Sequence, residues 1–165
     1  MSEAPLAYPF VLDRAGIEGL LPHRGDIFVC QQLTIEGPHD FRGAARWPLS
    51  NSIIQGHFPG LPVVPGVFLI EAAAQLAGAG LLAGDPYLRT LDDDLIGVLA
   101  GVRKTSFRRP VEVDRDVDFV IHCRQMAALA VQVNARATTG GVEVAELDLL
   151  MAYTPRQQLL AAIGA

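Results

Sequence analysis

Cysteine is nearly absent from this chain: only Cys30 and Cys123 occur, far apart and without metal-ligand spacing. That excludes a disulfide scaffold and suits a reducing cytoplasm. His122 and Cys123 are adjacent, but in a strand their side chains face opposite ways, which excludes a metal pair there. An excess of basic charge is missing too. Thirteen Lys and Arg against 18 Asp and Glu leave a net charge of −5, which excludes a general nucleic-acid binder. There is no linker rich in Gly, Pro or Ser, no internal repeat and no low-complexity tract, so residues 1–165 read as a single domain. No charge-free apolar run of bilayer length occurs either. The most apolar stretch, 61–82, contains Pro62, Pro65, Glu71 and Gln75, and reads as a buried element rather than a membrane span. Residues 1–5 lack the basic start and apolar core of a secretory signal.

What is present is apolar patterning. Half of the residues are hydrophobic and 19% are charged, the balance of a packed globule. Residues 1–13 read as extended. A short helix follows over Arg14–Leu21, ended by Pro22, because the residue before a proline disfavours helix. Ile27–Ile35 and Asp40–Trp47 read as strands joined by a turn at Gly37-Pro38, and Pro48–Leu61 reads as a loop. From Gly66 to about Leu82 the chain is alanine-rich and apolar nearly all round, as a fully buried helix is, with Pro65 suited to its start. Leu95–Arg103, Val113–Gln125, Leu129–Thr138 and Val142–Tyr153 read as strands. In the third of these, Val131, Val133, Ala135 and Ala137 alternate with Gln132, Asn134, Arg136 and Thr138, so one face is buried. A buried helix followed by antiparallel strands gives an α+β architecture with the sheet wrapped around the helix.

The chemistry concentrates between Gln55 and Gln75. His57 lies in a loop made compact by Gly56, Pro59 and Gly60. Glu71 lies in the second turn of the apolar helix, where a buried carboxylate requires a partner. Gln75, one turn on, shares its face and can fix its rotamer. The unpaired backbone N–H groups at the helix start, Gly66 and Val67, form a site for a carbonyl oxygen or oxyanion. A base, an acid and an oxyanion donor on an apolar wall are the three parts needed to eliminate water from a 3-hydroxyacyl thioester. His57 suits the base, Glu71 the acid or the water-orienting group, and the Gly66 amide the thioester oxygen.

The run Gly56-His57-Phe58-Pro59-Gly60, followed by Pro65-Gly66 and Glu71, resembles the 3-hydroxyacyl-[acyl-carrier-protein] dehydratases of fatty-acid synthesis, the FabZ/FabA type. Glu rather than Asp at position 71 is similar to the FabZ branch. Leu21-Pro22-His23-Arg24 and Phe107-Arg108-Arg109-Pro110-Val111 match as well, so the resemblance runs from about residue 18 to residue 153. It implies a hot-dog fold and a homodimer whose active sites each take His57 from one subunit and Glu71 from the other; assembly of dimers into hexamers stays open. It implies no metal or organic cofactor and no nucleic-acid or membrane partner. The substrate arrives on the phosphopantetheine arm of acyl carrier protein and leaves as a trans-2-enoyl thioester. Arg103, Lys104, Arg108 and Arg109 are a candidate docking patch for the acidic carrier, set against a plain solvated strand end.

The chain departs from the family where Gly25-Asp26-Ile27-Phe28 and Gln31 follow Leu21-Pro22-His23-Arg24, and where Ile53-Ile54 precede the histidine loop. These departures bear on acyl-chain preference and on primary versus secondary metabolism more than on reaction type. Two rivals remain: a hot-dog thioesterase, and a non-catalytic hot-dog protein that binds the carrier. A coenzyme A hydratase of the double-hot-dog group is disfavoured, because its Asp-x-Asn-Pro-x-His segment is missing. For His23 two roles stand open, lining the site and, preferred over it, capping or bracing the first helix with Arg24; His39 and His122 are expected to be ordinary surface or strand residues, and Asp92-Asp93-Asp94 to form a solvated loop.

Overall fold

The computed structural model describes residues 6–91 and 94–164, so Asp92 and Asp93 lie outside the described residues. Strand β1 (Phe10–Asp13) leads into helix α1 (Arg14–Leu20), with Asp13 accepting from the Gly16 N–H as its N-cap. Strands β2 (Cys30–Gly37) and β3 (Asp40–Arg46) form a hairpin, and a short helix α2 (Ser52–Gly56) follows. A two-residue strand β4 (Val63–Val64) precedes the long helix α3 (Gly66–Gly84). Then come β5 (Leu95–Phe107), the short β6 (Val111–Glu112), β7 (Asp116–Ala127), β8 (Ala130–Thr139) and β9 (Val142–Pro155). A last helix, α4 (Arg156–Ile163), follows them.

Seven strands make one antiparallel sheet in the order β1-β2-β3-β7-β8-β9-β5, wrapped around α3 as the sequence led us to expect. By length and composition α3 is apolar enough to cross a bilayer, but 61% of its apolar window is buried within the protein, so it is the core helix. It is almost devoid of large side chains along Ala72–Gly80, and that lets the sheet approach its backbone. At Gly80 a β-carbon would stand 2.6–2.8 Å from the Phe41 ring of β3, closer than any real contact. The period-two burial of β7 and β8 turns Phe119, Ile121, Cys123, Val131, Val133, Ala135 and Ala137 inward on to this helix.

Several boundaries differ from expectation for local reasons. The first β-hairpin strand starts at Cys30 rather than Ile27, because Gly25–Ile27 forms a 3-10 turn. The expected loop 48–61 contains α2, whose first N–H groups, those of Ile53 and Ile54, are capped by the Asn51 side chain. β7 begins at Asp116, since Asp114 takes a left-handed φ of 58° in the preceding turn. Helix α4 was not foreseen, although Pro155 at its start and left-handed Gly164 at its end carry the signal. Asp94, beside α4, pairs with Arg156 at 3.0 Å.

Replacing a helical glycine by alanine ordinarily stabilises by about 1 kcal/mol. Overpacking a tight core costs roughly 1–3 kcal/mol, and the Phe41 contact makes that term the larger one here. Gly80→Ala is therefore expected to lose about 1–2 kcal/mol in urea denaturation; a gain in stability would contradict this packing.

Candidate active site

His57 is the C-terminal cap of α2, its N–H bonded to the Ile54 carbonyl at 3.1 Å. The chain then doubles back: Leu61 N–H donates to Phe58 O at 2.9 Å, with Gly60 at a left-handed φ of 79°. The peptide bond before Phe58 is cis, whereas Phe58–Pro59 is not. The His57 ring stacks on Phe58, with centroids 4.2 Å apart, and its Nδ1 faces the Val63 carbonyl at 3.4 Å. A carbonyl at Nδ1 selects the tautomer protonated there and leaves the Nε2 lone pair free, which is the form a general base needs. Phe58, Leu61, Ile53 and Val67 are exposed and make the surroundings of this half apolar.

Glu71 projects from the second turn of α3. Its side chain is 30% exposed, so it is half-buried rather than enclosed by apolar neighbours on every side. Its Oε1 accepts from Gln75 Nε2 at 2.8 Å, the i to i+4 bond expected on this helix face. Gln75 is 2% exposed and fully used: Nε2 also donates to Ile27 O at 2.9 Å, and Oε1 faces the Cys30 thiol at 3.6 Å. Satisfying every polar atom makes a buried amide tolerable in this core. Oε1 of Glu71 also lies 3.4 Å from His23 Nε2. Glu71, His23 and Gln75 head a cavity of about 60 Å³ that runs past Ala74 and Gly78 to Leu82.

Gly66 and Val67 occupy the first two positions of α3, whose N–H groups have no partner one turn back. The next amide, Phe68 N–H, is taken by Pro65 O at 2.9 Å. At Gly66 a β-carbon would meet the exposed Phe107 ring at 3.0–3.1 Å, so the ring would have to give by a few tenths of an ångström to admit any side chain. The β4–β6 ladder brings this helix start against 107–111, forming a cleft of about 300 Å³ lined by Gly66, Leu69, Phe107, Arg108 and Arg109.

The four basic residues do not act alike. Arg108 is held by Glu143 and by Glu146 at 3.0 Å, and Glu143 first among the two raises its pKa. Arg103 lies 3.9 Å from Asp148. Arg109 and Lys104 have no ion-pair partner among the described residues. They line different cavities, Arg109 the cleft at Gly66 and Lys104 a recess of about 580 Å³ on the outer sheet face.

Within one chain the two halves remain apart. Among the described residues no hydrogen bond or ion pair joins His57 to Glu71, and His57 does not line the Glu71 cavity. His39 pairs with buried Asp85 and His122 with exposed Asp40, each at 2.8 Å, and no described group of side chains has the makings of a metal site.

Sequence reasoning missed Asp26 and, of the two roles open to His23, preferred the helix brace over lining the site. Asp26 accepts from Ser52 N–H at 3.0 Å and Ser52 Oγ at 2.7 Å, which lowers its pKa, and its carbonyl accepts from Asn51 at 2.8 Å. The helix brace assigned to His23 is made by Arg24, which bonds Leu21 O at 2.6 Å and His23 O at 2.7 Å, while the His23 ring turns to Glu71. The signal for Asp26 was the departure Gly25-Asp26 itself.

Burial, above all, pushes the Cys30 thiol from an ordinary 9.0 up to about 12. The folded chain keeps this proton while the unfolded chain loses it above pH 9.0, so the thiol's share of stability is complete below that pH and drains away toward pH 12. Burial pushes Cys123 up to about 12 as well. Alkylation at the ordinary thiol pKa is expected to run at least roughly a hundredfold slower in the native protein than in urea. Equal rates would contradict the buried placement.

A FabA-like domain matches residues 49–148. The chain is 31% identical over 150 residues to the 3-hydroxyacyl-[acyl-carrier-protein] dehydratase FabZ of Syntrophotalea carbinolica, covering 89% of this chain and 98% of that one. It is 27% identical over 147 residues to the protein of the same name from Bacillus pumilus, covering 88% and 99%. Among solved structures, the dehydratase heterocomplex ApeI:P of Xenorhabdus doucetiae aligns with a TM-score of 0.72 at 16% identity, over 90% of this chain and 97% of that one. The fluoroacetyl-CoA thioesterase FlK aligns at 0.61 and 12% identity, over 75% and 91%; at such identities both alignments speak for the fold alone.

Proposed function

The chain belongs to the FabA-like family, with FabZ dehydratases among its relatives, and from that premise we propose that it removes water from 3-hydroxyacyl thioesters carried on acyl carrier protein. The observation that carries this reading is the pairing of an oriented histidine with an oriented carboxylate on otherwise apolar surfaces: His57 directed by Val63 O, and Glu71 directed by Gln75.

His57 Nε2 takes the proton from C2, and the enolate charge that builds on the thioester oxygen is met by the Gly66 and Val67 N–H groups. Glu71 gives its proton to the 3-hydroxyl, which leaves as water, and the C2–C3 double bond of a trans-2-enoyl thioester forms. One well-aimed backbone donor contributes roughly 3–4 kcal/mol in such transition states. The proton gained by His57 replaces the one lost by Glu71 through water, so no other co-reactant is needed. In the variant scheme His57 handles both protons and Glu71 only orients the water.

A homodimer completes the site. Support comes from the separation of His57 and Glu71 within one chain, and from the exposed apolar side chains Leu99, Val102 and Phe107 along the edge strand β5. The acyl chain then extends from Glu71 along α3 toward Leu82. The phosphopantetheine arm reaches the helix start through the cleft at Gly66, whose unpaired cation, Arg109, receives the acidic carrier. Free, buried Cys30 and Cys123 suit the cytoplasm.

Mass spectrometry of a carrier-bound 3-hydroxyacyl substrate is expected to show loss of one water with wild type, and at least roughly a hundredfold less with His57→Ala or Glu71→Gln. Release of free acid would instead establish a thioesterase, and no change with carrier binding intact would establish a non-catalytic binder. Near-full Glu71→Gln activity would favour the scheme in which Glu71 only orients water. At low salt Arg109→Glu is expected to raise KM for carrier-bound substrate by roughly tenfold, and Arg108→Glu by less because two carboxylates already hold it. Unchanged KM for both would dismiss this docking site.

A further inference from the structure

We propose that His23 is a positioning residue for Glu71, gripping its carboxyl by Oε1 so that Oε2 is the oxygen presented to substrate. The inference rests on the dehydratase reading above. Three observations carry it. The nearest approaches of both polar neighbours of Glu71 are to the same oxygen, Gln75 Nε2 at 2.8 Å and His23 Nε2 at 3.4 Å, while among the described residues Oε2 accepts no hydrogen bond. His23 Nδ1 is buried without a partner, so a proton there would be an unsatisfied donor. That assigns the ring proton to Nε2, the atom facing Glu71. The His23 backbone carbonyl is tied down by Arg24 at 2.7 Å, which sets where the ring hangs in the cavity that Glu71 heads.

Gln75 alone fixes Oε1 from the helix side. His23 approaches it from the segment between α1 and the 3-10 turn, and a second donor closing on the same oxygen would remove the freedom of the carboxyl to exchange its oxygens. When Glu71 gives up its proton from Oε2, the negative charge is shared with an oxygen that Gln75 holds and His23 Nε2 faces. The 3.4 Å contact is long for a hydrogen bond, and such contacts in unliganded sites shorten when substrate closes over them.

The test uses steady-state kinetics of the full chain with a carrier-bound 3-hydroxyacyl substrate. His23→Ala is expected to lower kcat by roughly 10- to 100-fold with KM changed less than about twofold. His23→Gln, which returns an N–H near the place of Nε2, is expected to recover most of that loss. In a Glu71→Gln background, His23→Ala is expected to add less than about threefold, because its effect passes through Glu71. A change confined to KM, a Gln variant no better than Ala, or an undiminished loss in the Glu71→Gln background would overturn the proposal. If the Ala variant does not fold, the Gln variant decides alone. An inactive wild type would overturn the dehydratase reading itself. His23 would then be judged by ring nitrogen NMR: an Nε2–H signal that shifts on Glu71→Gln supports the contact, and an unshifted one refutes it.

Discussion

A sheet can wrap closely around a helix only where that helix carries almost no side chains, and the contacts of Gly80 with the Phe41 ring and of Gly84 with Ile35 are that condition at its tightest. Everything else follows from keeping α3 small and apolar. A wall of this kind excludes water and binds an acyl chain, but it cannot accept a polar group unless each of its atoms is satisfied locally. Glu71 and Gln75 meet that demand as a unit. Gln75 spends its amide on Ile27 O and Glu71 while the Cys30 thiol faces its oxygen, and the carboxylate lines the cavity along the helix.

The 3-10 turn Gly25–Ile27 links, within each chain, the helix that carries Glu71 to the helix that ends at His57. Through Ile27 O it receives Gln75 from α3, and through the Asp26 carboxylate it receives Ser52 at the start of α2, the helix that ends at His57. That one turn thus fixes the Glu71 helix relative to the His57 helix within each chain.

Much of this was legible in the residues. The alanine-rich run 66–82 could only be a buried helix, and the alternation in 131–138 fixed an inward face for β8. His57, Glu71 and Gln75 stood out because polar groups in an apolar stretch need a reason. What escaped was short or long-range. Helix α2 is five residues held by one Asn cap, too brief for a periodic signal. The placement of His23 beside Glu71 joins residues 48 apart and depends on how Arg24 fastens the intervening turn. The splitting of the basic cluster was hidden for the same reason, because Glu143 and Glu146, which hold Arg108, arrive on a distant strand.

The central claim is that a working site needs His57 from one chain and Glu71 from another. Mixing His57→Ala chains with Glu71→Gln chains after dissociation tests it directly. In a random mixture half the dimers are mixed, and each of those holds one intact site and one doubly damaged site. The account predicts that two nearly inactive preparations together regain about a quarter of wild-type activity. A mixture no more active than its components, although mixed dimers had formed, would show that each chain builds its site alone.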